Sequence, residues 1–107
     1  MTLEIDLKNL SDERAILEIL GAALGYTDDK IWGKNMDAFN DILGYLEQGG
    51  IWGNNKIIHY PLALRISNFQ NFRNHVPGRF TILNEILESH KDRYAKENKI
   101  FEFNFIE

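Results

Sequence analysis

The sequence contains no cysteine. That excludes disulfides and thiolate metal ligands, and it makes a cytoplasmic location the default expectation. No apolar run approaches the roughly 18 residues that a membrane span needs. The first ten residues, MTLEIDLKNL, place acids where a secretory signal needs a basic flank and an apolar block. Histidines are few and scattered. His59, His75 and His90 form neither an i, i+4 pair nor a His–Glu–x–x–His run, so packed or surface histidine is a simpler reading than a metal site. No glycine-rich phosphate loop opens a helix, and no serine sits in a nucleophile elbow. The expectation is a chain that is not an enzyme and carries no cofactor and no metal.

What is present is a globular balance. Of 107 residues, 44% are hydrophobic and 26% charged, which suits one core and argues against disorder. One domain spanning residues 1–107 is expected, without repeat or linker. The net charge of −4 conceals an asymmetry. Residues 1–48 hold ten acids and four Lys or Arg, a net of −6, whereas residues 49–107 hold six acids and eight Lys or Arg, a net of +2. Phosphates need cations, so an acidic half disfavours nucleic acid and favours a basic partner.

Period separates the elements. TLEIDL alternates, with Leu3, Ile5 and Leu7 on one side, and reads as a strand. Ser11 is placed to cap a helix with Asp12 and Glu13 in its first turn and Ile16, Leu20, Ala23 and Leu24 on its apolar side, ended by Gly25. Asn35 caps the next helix, where Met36, Phe39, Leu43 and Leu46 recur at helical spacing. YPLALRI reads as a second strand. NFQNFRN reads as a short helix capped by Ser67 and anchored by Phe69 and Phe72. Pro77 precedes the longest helix, about Gly78 to Lys96, with a stripe of Phe80, Leu83, Leu87, His90 and Tyr94. IFEFNFIE closes as a third strand. The β–α–α–β–α–α–β order gives an α/β fold with a three-stranded, mostly parallel sheet and about four helices. Each strand has one polar side, so the helices should cover mainly one face.

The second helix poses a question. Asp37 and Asp41 stand four residues apart beside its apolar stripe, with Asn40 between them and Tyr45 one turn on. Like charges at that spacing cost about 0.2–0.5 kcal/mol. Asp37, near the cap, also suits the macrodipole, but Asp41 lies too deep for that benefit. A metal or an acid–base pair would be alternatives, yet no imidazole is near in sequence and polar loops flank the helix.

The run Trp32, Gly33, Asn35, Met36, Asp37, Ala38, Asp41 and Leu43, with Tyr60, Pro61 and Leu62 entering the second strand, resembles the barstar family. Its members are intracellular inhibitors of secreted ribonucleases, and the likeness runs over most of the chain. It implies the same fold, and a surface that enters the basic active site of a nuclease. Asp41 corresponds to the central phosphate mimic, Asp37 flanks it, and Glu88 on the long helix matches a third acidic contact. Trp32, Gly33 and Lys34 match the loop laid across the nuclease. The archetype has aromatic contact residues where this chain has Ile31 and Asn40, and the segment from about Glu47 to Lys56, with Trp52, is longer here. The resulting expectation is 1:1 binding to a basic ribonuclease, with no nucleic acid, membrane or metal. The rival is a non-inhibitory binding module of the same fold.

Overall fold

The computed structural model describes residues 1–27, 32–48 and 56–107. The elements are β1 (Thr2–Asp6), α1 (Glu13–Ala23), α2 (Met36–Glu47), β2 (Leu62–Ser67), α3 (Gln70–His75), α4 (Pro77–Lys96) and β3 (Phe101–Ile106). The strands form one sheet in the order β1–β2–β3, with both pairs parallel. The chain is therefore α/β with β–α–α–β–α–α–β order, as its periodicities indicate. Each strand-to-strand connection passes through two helices.

Alternation sets the two faces of the sheet. Leu3 and Ile5 of β1, Leu62, Leu64 and Ile66 of β2, and Phe101 of β3 are buried. They pack with Leu17, Leu20, Phe39, Leu43, Leu83 and Leu87 from the helices. The other face is polar: Glu4 and Arg65, neighbours in register, form an ion pair at 2.8 Å. An aromatic cluster joins α3, α4 and β3, where Phe80 lies 4.9 Å from Phe105 and 5.8 Å from Phe69, centroid to centroid. The Tyr60–Pro61 bond ahead of β2 is cis.

Three element ends differ from the sequence expectation. Asp12, not Ser11, caps α1, its carboxylate accepting from the Ala15 N–H at 3.0 Å. Asp is as good a cap as Ser, and sequence alone cannot separate neighbours. Ser67 belongs to β2, so α3 starts after Phe69 with no side-chain cap. Pro77 is inside α4, at its start, where its missing N–H costs nothing. Ile31, Trp52 and most of the segment after Glu47 lie outside the described residues.

Candidate functional site

Helix α2 is held at both ends. At its start, Asn35 Oδ1 accepts from the Ala38 N–H at 2.8 Å. At its end, carbonyls of the last turns take donors from other parts of the fold: Tyr94 donates to Leu43, Tyr60 donates to Leu46 at 2.8 Å, and Lys99 donates to Glu47. Lys99 also places a cation at the negative end of the macrodipole. Arg93 pairs with the Glu47 carboxylate at 3.1 Å.

The segment leading into α2 is anchored by Trp32. Its indole N–H donates to the Tyr26 carbonyl at 3.1 Å, and the side chain is in the core. This corrects the placement of Trp32 on the partner surface. The ring lies over Gly21 of α1, where even a Cβ would come within 2.2 Å of Trp32 Cζ2. α1 thus offers a slot with no side chain, and the indole fills it. Lys34 is also turned inward, its ammonium 3.4 Å from Glu18 on α1, and only Gly33 of the three is exposed. Tyr45 is half-buried against the core.

With Met36, Phe39, Ile42, Leu43 and Leu46 buried, helical period turns Asp37, Asn40 and Asp41 to solvent. Neither aspartate forms an ion pair or hydrogen bond among the described residues. A groove of about 310 Å³ runs between α2 and α4, lined by Met36, Asp37, Asn40, Ile82, Glu85, Ile86 and Ser89. Its apolar lining comes from Met36, Ile82 and Ile86, and its acids are Asp37 and Glu85. Glu88 is exposed on α4 but does not line the groove. Glu85 was missed in the sequence, although it sits three residues from Ile82 and four from Ser89, a spacing that puts all three on one side of α4.

Beneath Asn40 lies His90, 1% exposed, with its Nε2 2.8 Å from Asn40 Oδ1. Burial, followed by the charge of Arg93, pushes the His90 pKa below the ordinary imidazole value. His90 is neutral at neutral pH.

The acids of the described residues fall into two groups. Glu4, Glu13, Glu18, Glu47 and Glu107 are paired with Arg65, Arg79, Arg14 or Lys34, Arg93 and Arg73. Asp6 accepts from Asn68 at 2.8 Å, and Asp12 caps α1. By contrast Asp37 and Asp41 on α2, Glu85, Glu88 and Asp92 on α4, Glu97 just after it and Glu102 on β3 are exposed without such partners among the described residues.

A family model described as Barstar (barnase inhibitor) matches residues 1–106. The chain belongs to the barstar family. Comparison with curated proteins found no match. In this barstar-family chain the exposed face of α2 consists of two carboxylates flanking an amide. Carboxylates that carry no internal partner are free to accept charge-assisted hydrogen bonds from another molecule. Among the described residues no three His, Asp or Glu side chains gather as a metal cluster.

Proposed function

We propose that this chain is a stoichiometric, non-enzymatic inhibitor of a barnase-like ribonuclease, acting in the cytoplasm as an immunity protein. The observation that carries this reading is the distribution of unpaired acids. Asp37 and Asp41 on α2 carry no ion pair or hydrogen bond among the described residues, and Asp37 and Glu85 stand together on a groove between α2 and α4 whose lining includes Met36, Ile82 and Ile86. That arrangement suits a cationic cleft built for RNA phosphate. A Lys or Arg side chain in the groove would rest its methylenes on Met36, Ile82 and Ile86 and its charge against Asp37 and Glu85. Asp41, one turn further along α2, would occupy the position of a phosphate that can be neither cleaved nor released.

The paired acids that weaken α2 are then explained by the partner. Titrating RNA cleavage by barnase with this chain should remove activity in proportion to added protein, ending near one equivalent. Binding to a basic protein with RNA cleavage untouched would favour the non-inhibitory module. Failure to engage any basic nuclease, with the acids of α2 intact, would count against the reading altogether.

A further inference from the structure

We propose that Asn40 is a specificity-determining residue, fixed by His90 as a hydrogen-bond donor toward the partner, and that it selects a cationic site containing a hydrogen-bond acceptor. This rests on the inhibitor reading above and adds to it a demand that charge alone does not make.

The argument starts at His90. Its Nε2 faces Asn40 Oδ1 at 2.8 Å, and its Nδ1 is buried with no hydrogen-bond partner among the described residues. The proton can sit on either nitrogen. If it were on Nδ1, a buried N–H would be orphaned and Asn40 would have to turn its N–H₂ inward to Nε2. Orphaned buried N–H groups are the rarest kind of unsatisfied polar group. With the proton on Nε2, the ring donates to the Asn40 carbonyl and leaves only a lone pair unmatched. The second arrangement is the one the geometry selects, and it fixes the amide: oxygen inward, N–H₂ outward.

Asn40 is exposed, lines the groove, and has no other hydrogen bond among the described residues. Its two N–H groups therefore face the partner from between Asp37 and Asp41. Ionised carboxylates only accept, and an amide held in this way only donates. A cleft of uniform Lys, Arg and His donors would satisfy the acids and set donors against Asn40. Burying that mismatch penalises the complex. A site with a backbone carbonyl or a carboxylate among its cations would match all three residues.

Two measurements test this. The first uses the free protein: the imidazole ¹⁵N spectrum should show His90 as the Nε2–H tautomer, and an Nδ1–H tautomer would overturn the assignment. The second uses barnase as probe, with the wild type, Asn40→Asp and Asn40→Ala. Asn40→Asp keeps the shape and the acceptor for His90 but replaces the outward donor with a third carboxylate. Charge attraction alone predicts tighter inhibition. The donor model predicts inhibition weaker by roughly tenfold or more, with a several-fold loss for Asn40→Ala. Far-ultraviolet circular dichroism checks that both variants fold, and the alanine variant serves if the aspartate variant does not. Tighter or unchanged inhibition by either folded variant would overturn the proposal. A wild-type chain that does not bind barnase would instead tell against the inhibitor reading, and the tautomer would still decide the orientation of Asn40.

Discussion

Asp41 is exposed, has no hydrogen bond or ion pair among the described residues, and lies one helical turn beyond Asp37. Those facts give Asp41→Ala an opposed signature. In a desolvated complex the variant leaves the cations of the nuclease buried and unpaired, a loss on the order of 3–5 kcal/mol. In the free chain it relieves an i, i+4 repulsion and introduces a better helix former, a gain of about 0.5 kcal/mol. Inhibition should collapse while the melting temperature holds or rises, and paired inhibition and thermal-unfolding measurements decide it. An early-melting variant would make Asp41 structural. One that inhibits normally would mean the wrong face had been assigned. The exposure of Asp37 and Asp41 was legible in the sequence because Met36, Phe39, Leu43 and Leu46 fix the buried side of the same helix. The fate of Trp32 was not, because it depends on Gly21, eleven residues away on another helix. The pairing of Asn40 with His90 spans fifty residues and leaves no local pattern at all.

At the scale of elements, α2 is a helix clamped by its neighbours. The Trp32–Gly21 contact fixes its start, and Gly21→Ala has no room for its methyl. The indole must move, so the variant should lose about 1–3 kcal/mol in chemical denaturation. Its inhibition should weaken as well, since Trp32 leads directly into the cap at Asn35. A Gly21→Ala chain of normal stability would place the indole elsewhere. The seam between α2 and α4 carries the pH dependence. The His90 pKa is lowered from 6.5, so well above that value the ring is neutral in both folded and unfolded chains. As pH falls below 6.5 the unfolded chain takes up the proton first, and stability declines until the folded ring is protonated too. Urea midpoints measured downward from about pH 7.5 should show that slope, and a His90→Gln variant should lack it. Helix ends were the least legible parts. Adjacent Ser11 and Asp12 compete for one cap, and Ser67 is claimed by β2 because Ile66 still alternates into the core.

Charge is unevenly shared along the chain, with a net of −6 in residues 1–48 and +2 in residues 49–107. The acids left bare on α2 belong to the negative part, and such a field steers a basic partner toward the site that binds it. The association rate with barnase should therefore fall steeply as salt shortens the screening length, to about 10 Å near 0.1 M, while dissociation changes less. A salt-independent association rate would remove the acidic face from the encounter. The sheet was legible at this scale because each strand alternates and because the helical connections between strands are long enough for parallel crossovers. The groove was not, because its two walls come from different crossover connections and meet only after both have packed.

One arrangement bears on how such a chain can change its target over evolutionary time. Asp37, Asp41 and Glu85 are solvent-facing and form no hydrogen bond or ion pair among the described residues, so each can be replaced singly with little effect on folding. Asn40 is different, since its carbonyl is the only hydrogen-bond partner of a buried ring among the described residues. A lineage that exchanged Asn40 for an aromatic or aliphatic residue would strand that ring without an acceptor, and would have to exchange His90 as well. Relatives should accordingly be constrained at the acids by the partner alone, while positions 40 and 90 change as a pair.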